Sequence, residues 1–376
     1  MDDNDNLLIV ADSERDANML YAVGLFVSDP FIYFRVEGVG HVVVSDLEVN
    51  RVRKRARHCR VCSYNQLVDR LRRKVKRPGP ATVISFLLRE RRVRKIFVPG
   101  NFPHGLAREL RNYKIKVRVK KGGVFPQREF KSADEVKKIS AALMMAEVGL
   151  AEGIQALKSA KIGRDGKLVY HSAPLTSEKL RGIIETAILQ AGGQAGRTIV
   201  AGGRQACDPH EPGHGPLRAN EPIILDVFPR SQKTGYFGDI SRTVVRGRAS
   251  EAARRVYDTV ARAQELAFAR LRPEIKAVEV HEAVRSFFDS EGYKTVTRRG
   301  RMEGFFHGTG HGLGMEIHEA PRIGLTSHDV LAAGQVVTVE PGLYYPGVGG
   351  VRLEDVAALT PQGARNLTKF EKVLEV

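Results

Sequence analysis

The chain has 376 residues, 42% of them hydrophobic and 27% charged, the composition of a soluble globular protein long enough for two domains. No apolar run approaches the roughly 20 residues of a membrane span, and three cysteines, Cys59, Cys62 and Cys207, cannot form a disulfide framework. A net charge of +17 at pH 7 favours anionic partners through long-range attraction.

The first residues, Met1 to Asn6, are acidic and polar with only Leu7 to Ala11 apolar behind them, which is unlike a secretory signal. With so few cysteines, a cytoplasmic protein is expected. Candidate strands in the first third are Leu7 to Ala11, Val42 to Val44, Ile96 to Val98 and Ile115 to Val119. Ser45-Asp-Leu-Glu48 reads as a capping box that opens a helix through the basic run Arg51 to Arg57, and Thr82 to Arg92 and Leu106 to Arg111 are further helical stretches. Strands alternating with helices predict a small α/β domain over residues 1–125. The basic run continues through Arg60 and on to Arg77, but Tyr64 is the one Phe, Tyr or Trp interleaved in it. A solvated helix face is therefore expected there, and nucleic acid is not an expected partner. Cys59-Arg-Val-Cys62 has no second pair to complete a zinc shell and is expected to lie in a strand.

Lys120 to Gln127, with paired glycines and a proline, breaks both periodicities and predicts a boundary, leaving residues 126–376 as a second domain. Ser132-Ala-Asp-Glu135 is a capping box for a long helix to about Ser159, and Ser177 is a further start signal. Later helices are predicted over Glu251 to Leu271 and Val278 to Glu291. The strand candidates are Ile199 to Ala201, Pro222 to Phe228, Tyr236 to Arg246, Gln335 to Tyr344 and Val351 to Ala358. Two helix pairs and a set of strands predict an α+β domain.

Within this second part, Phe305 to Pro321 places His307, His311 and His318 among four alternating glycines. Each glycine disfavours a helix by about 1 kcal/mol, so the stretch is expected to be extended or looped. Imidazoles in such a segment suit metal binding or proton transfer. Four acids also sit at or inside apolar runs: Asp226 after Ile223-Ile-Leu225, Asp239 before Ile240, Glu340 after Val336-Val-Thr-Val339, and Glu354 in Val351-Arg-Leu-Glu-Asp-Val356. Buried carboxylates must be paired, protonated or bound to a cation. Four of them with one imidazole suit a pair of divalent ions, which can activate water for hydrolysis at neutral pH.

The ordered set Asp226, Asp239, His311, Glu340 and Glu354, in the contexts H-G-T-G-H-G-L-G, V-T-V-E-P-G and G-V-R-L-E-D, resembles the pita-bread metallopeptidases, the family of methionine aminopeptidase, aminopeptidase P, prolidase and creatinase. The resemblance covers residues 130–376 and implies a pseudo-symmetric α+β catalytic domain. The preceding 125 residues resemble the creatinase/prolidase-type N-terminal domain. It also implies two divalent ions, manganese first and cobalt or zinc next. Asp226, Asp239 and Glu354 would hold one ion, and Asp239, His311, Glu340 and Glu354 the other. His307, His318 and Arg352 resemble markers of the proline-specific members, His210 matches their substrate-side histidine with His214 as a competitor, and Tyr344 would line the same pocket. The implied reaction is hydrolysis of Xaa-Pro bonds at a free N-terminus by an aminopeptidase P or prolidase. Glu340 would act as general base and acid, His210 would polarise the carbonyl, His318 would stabilise the tetrahedral intermediate or position the proline-side residue, and Arg352 and His307 would hold the downstream carboxylate or carbonyl. A homodimer is implied as well. The spacing between Asp226 and Asp239 is two residues longer than is common in that family, which lengthens a hairpin at the mouth. The alternative reading is a catalytically silent pita-bread binding protein whose basic N-terminal half takes nucleic acid or acidic proteins.

Overall fold

Short apolar runs and helix-start signals place the elements, and their partners divide them into two groups. The computed structural model describes residues 5–376, and the chain separates into two compact units between Pro126 and Gln127. The first unit contains β1 (Leu7–Ala11), α1 (Ala17–Val23), β2 (Phe31–Val36), β3 (Val39–Val44), α2 (Asp46–Arg55), β4 (Cys59–Ser63), α3 (Tyr64–Arg72), α4 (Pro80–Glu90), β5 (Lys95–Val98), α5 (His104–Asn112) and β6 (Lys116–Val119). The strands form one sheet in the order β4-β3-β2-β1-β5-β6. Only β2 runs antiparallel to its neighbours; the β1–β5, β5–β6 and β3–β4 pairs are parallel.

Two local expectations are corrected here. The sequence reading missed β2, whose Phe-Ile-Tyr-Phe-Arg-Val is buried almost throughout and so shows no alternation to read. Ser45 does occupy the cap position of α2, but its side chain makes no capping bond. The neighbouring Asp46 instead accepts a hydrogen bond from Ser63, whose hydroxyl also caps α3 by accepting from Gln66 N. Helices α2 and α3 therefore begin side by side. Cys59 and Cys62 lie on β4 as free thiols, and burial pushes that of Cys59 up to about 11.

The second unit is framed by two helix pairs, α6 (Ala133–Ser159) with α7 (Ser177–Gln190), and α8 (Glu251–Arg270) with α9 (Ala277–Ser290). The box Ser132/Glu135 caps α6, whereas Thr176 rather than Ser177 caps α7, leaving Ser177 buried in the first turn. Between the pairs lie an antiparallel sheet of Ile199–Gly202, Ile223–Val227 and Ile240–Val244, and a five-stranded one ordered Glu319–Ile323, Gly310–Gly312, Val336–Val339, Asp355–Thr360 and Gly363–Asn366. Alternation along one strand feeds both cores: Val336 packs with the α6/α7 side chains, while Val337 and Val339 pack with α8 and α9.

Gln335 to Tyr344 and Val351 to Ala358 were each expected as one strand, and each breaks in two. Val339 pairs with Asp355 at the end of the ladder between two inner strands of the five-stranded sheet. The chain then enters a separate ribbon of Gly342–Tyr345 and Gly349–Arg352. Pro341 has no N–H to continue a ladder, and the Glu354 N–H is spent on Ser241 O. Both crossovers thus fall on a carboxylate, Glu340 in one chain segment and Glu354 in the other. The predicted strand Tyr236 to Arg246 also shortens, to Ile240–Val244. Its start is taken up by Gly238, where an added Cβ would lie 2.5 Å from the α6 backbone at Ala142.

Candidate metal centre

Strand register brings the acids together. Asp226 lies opposite Ser241 in the three-stranded sheet; Asp239 stands two residues before Ser241; His311 is the middle residue of Gly310–Gly312; and Glu340 and Glu354 occupy the crossovers. Asp239, His311 and Glu354 each offer a ligand atom, all within 4.8 Å of one another, and all three are buried. His311 Nε2 lies 3.7 Å from Asp239 Oδ2 and 3.4 Å from Glu340 Oε1. Ser241 Oγ is 2.8 Å from both Asp226 Oδ1 and Glu354 Oε2, tying the remaining carboxylate into the group. Thr338 Oγ1 donates to Glu340 Oε1 at 3.3 Å and accepts from the His311 N–H at 3.1 Å.

The electrostatics follow from this crowding. Burial, reinforced by Asp226 and Glu340, holds the Asp239 carboxyl well above its ordinary range, and burial with Asp239, Glu340 and Asp226 does the same for Glu354. Burial also pushes Glu340 up to about 7, against the pull of Arg352. His311 falls to about 3 through burial and the neighbouring His318. Its Nδ1 faces Gly312 O at 3.1 Å, so a neutral ring presents the Nε2 lone pair to the acids. Carboxylates forced together out of water, with an unprotonated imidazole among them, fit a divalent cation by donor chemistry and by charge.

Around the acids, Arg352 is almost wholly buried. Its guanidinium reaches Asp226 Oδ2 at 2.7 Å, Ser241 Oγ at 3.1 Å and the Tyr344 hydroxyl at 3.1 Å. Tyr344 lies 2.9 Å from His307 Nε2. The His307 Nδ1 faces Gly308 O at 2.8 Å, and burial followed by Arg352 lowers this ring to about 3, so Tyr344 donates to a neutral imidazole. His318 meets the His311 ring edge to face at 4.4 Å. His210 is exposed, and the adjacent Pro209 O accepts from Arg352 Nη1 at 3.4 Å, which brings this loop to the edge of the site. His214 is held by Glu211 and Gln205.

Asp226, Asp239, His307, His311, His318, Glu340, Tyr344, Arg352 and Glu354 therefore lie in one region, with the Arg352 guanidinium buried against Asp226. Its donors are committed to Asp226, Ser241, Tyr344 and Pro209 O. Sequence reasoning missed Ser241, although D-I-S puts it on the same side of the strand as Asp239 by simple alternation. It also missed Arg322, an exposed side chain whose charge acts on His311, His318 and Glu340. Nothing in the sequence around Arg322 signals that position.

The sequence profile of metallopeptidase family M24 matches residues 137–361. An Xaa-Pro dipeptidase of Pyrococcus horikoshii is 30% identical over 287 residues, 75% of this chain and 75% of that protein. An uncharacterized peptidase of Staphylococcus aureus is 33% identical over 248 residues, 65% of this chain and 64% of that protein, so less than two thirds of its length is matched. The crystal structure of an X-Pro aminopeptidase from Thermotoga maritima superimposes with a TM-score of 0.83 at 22% identity, covering 99% of this chain and 97% of that one. That likeness shows the fold, a pita-bread domain preceded by a smaller α/β domain. The chain therefore belongs to metallopeptidase family M24, on the pita-bread branch whose proline-specific members its histidine and arginine motifs resemble.

Proposed function

We propose that this metallopeptidase hydrolyses Xaa-Pro peptide bonds at the N-terminus of peptides, with Asp226, Asp239, His311, Glu340 and Glu354 holding two divalent ions, manganese before cobalt or zinc. The observation that carries this reading is the convergence of buried carboxylates on the unprotonated Nε2 of His311. When bound, such ions polarise the scissile carbonyl and make water a nucleophile at neutral pH. Glu340 takes the proton from the attacking water on Oε2, the oxygen that Thr338 leaves free, and passes it to the departing imino nitrogen. His210 and His318 donate to the carbonyl oxygen as charge develops on it.

Arg352 fixes the Asp226 carboxylate and, through the Tyr344 hydroxyl, the tautomer of His307. With that guanidinium turned inward, the exposed Arg322 is the cation left to meet the carboxylate of a short substrate. The homodimer belongs to this reading through the family resemblance, and the cytoplasm through the three free cysteines. Among the described residues no helix is long and apolar enough to cross a membrane.

The test is hydrolysis of Ala-Pro, Ala-Pro-Ala and Met-Ala-Ser by manganese-loaded and cobalt-loaded protein, beside Glu340→Ala. Cleavage after the first alanine of a proline peptide is expected, with Met-Ala-Ser left intact and the variant slower by about 10³-fold. Ala-Pro alone would mark a dipeptidase, and Ala-Pro-Ala an aminopeptidase. Turnover no greater than that of the variant on all three would contradict the reading.

A further inference from the structure

The parallel strands of the first unit give its two ends different character. Each of α2, α3, α4 and α5 runs back along the sheet, so that all four finish at the end where β3, β4, β5 and β6 begin. The contacts bear this out. The starts of α2 and α3 share the Ser63–Asp46 hydrogen bond. The last turns of α3 and α4 are joined by Arg70 and Glu90 at 3.3 Å, and those of α4 and α5 by Arg89 Nη2 donating to Tyr113 O at 3.0 Å.

That shared end gathers the positive charge. Residues 51–121 hold 24 Lys and Arg against three acids, Asp69, Glu90 and Glu109. Helix α2 closes in Arg53-Lys54-Arg55, α3 runs into Arg72-Arg73-Lys74, Arg91 to Lys95 follow α4, and Arg111, Lys114 and Lys116 lie around the end of α5. A helix C-terminus is complemented by one or two cations, and here every one carries more. Arg53, Lys54, Arg55, Arg73, Arg94 and Lys116 are all exposed and form no ion pair among the described residues. His41, inside the sheet, is lowered by burial and then by Arg91 and Arg60, which shows charges from two elements converging on it. The opposite end of the sheet is of mixed charge, with Asp12, Glu14, Asp16, Asp46 and Glu48 beside Arg15, Lys120 and Lys121.

We infer that the basic end of the first unit binds the phosphate backbone of a nucleic-acid duplex. Six strands at the usual spacing span roughly 24 Å, the axial length of about seven phosphates of one strand. Arginine outnumbers lysine in this stretch, which suits bidentate phosphate contact. No Phe or Tyr ring of the unit is exposed among the described residues, so the usual stacking platforms for single-stranded bases are lacking. The exposed large hydrophobic side chains of this unit, Leu47 and Val119, lie at its other end, which disfavours insertion into a lipid surface. The sequence alone reads as one solvated basic run. It is the parallel topology that brings four separate basic termini to one place.

The test is fluorescence anisotropy of the full-length protein with a duplex DNA of about 30 base pairs over a salt series. Two variants of equal net charge accompany it. One carries Arg53→Glu, Arg73→Glu, Arg94→Glu and Lys116→Glu, a cation from each helix end. The other carries Lys137→Glu, Lys158→Glu, Arg270→Glu and Arg272→Glu in the second unit. Wild-type affinity is expected to fall on the order of 10³-fold between 50 and 200 mM salt. The first variant is expected to bind at least tenfold more weakly at low salt, and the second to stay within about threefold of wild type, with peptidase activity reporting that both are folded. Equal loss in both variants would overturn the inference, as would no binding at 50 mM salt. Tighter binding to single-stranded DNA or to phosphatidylserine vesicles than to the duplex would also overturn it.

Discussion

A hydroxyl has one proton to give, and Ser241 Oγ stands 2.8 Å from two carboxylates while accepting from Arg352 Nε. It donates to one of Asp226 and Glu354, and the other reaches it only by carrying a proton of its own, in keeping with the raised Glu354. The same oxygen therefore spaces two proposed ligands and the arginine that anchors one of them. Ser241→Ala is expected to weaken manganese binding by about 10- to 100-fold while leaving the chain folded, measured by calorimetric titration. Unchanged affinity would remove Ser241 from the site. Glu319, beside His318, shows a different kind of burial. Burial acts to raise its carboxyl, but Lys131 at 3.0 Å and Arg128 outweigh it and hold the group below its ordinary value. A carboxyl lowered in the folded state stabilises the protein above its unfolded pKa, and that contribution is lost as pH falls through the lower, folded value. Glu319→Gln is expected to cost about 3 kcal/mol at pH 7, since it leaves Lys131 buried without its partner. The gap from wild type should narrow as pH falls below the ordinary glutamate value of about 4.3 and close through the lower folded value in thermal unfolding, and a pH-independent gap would contradict the assignment.

At the scale of elements, the glycine-rich strand shows why this sequence folds as it does. A Cβ at Gly310 would lie 2.0 Å from Thr338 O, and one at Gly312 would lie 2.1 Å from Ala320 O. The two glycines let the flanking strands close on His311 from both sides. Gly310→Ala is expected to push Thr338 away, lower activity by at least about 10²-fold and reduce bound metal, because a misplacement of about 1 Å is that costly. Near wild-type activity would show that the strands yield. The extended character of this strand was legible, since four alternating glycines exclude a helix. The two breaks at Glu340 and Glu354 were not, because an apolar run reads the same whether it stays in one sheet or crosses to another. Ser241 was within reach of simple alternation. Arg322, which pairs across the ladder with His311, and the inward turn of Arg352 at the end of its strand were not, since both depend on strand register.

Over the whole molecule, sequence periodicity and the five ordered side chains were enough to anticipate an α+β unit with helix pairs and a metal-binding centre. What they could not supply is anything that depends on strand direction. The basic residues from 51 to 121 read as local runs until parallel pairing sets their helix ends together. The hidden strand β2, buried in the middle of that sheet, is a related case, since burial on both faces erases the pattern that would reveal it. In the second unit two cores flank a cluster of buried acids whose mutual repulsion a bound cation would offset. The most direct measurement is metal content after reconstitution with manganese and gel filtration, for wild type beside Asp239→Asn. Close to two ions are expected per wild-type chain, and at most one in the variant. Wild-type protein that retains no manganese, or a variant that retains as much as wild type, would contradict it.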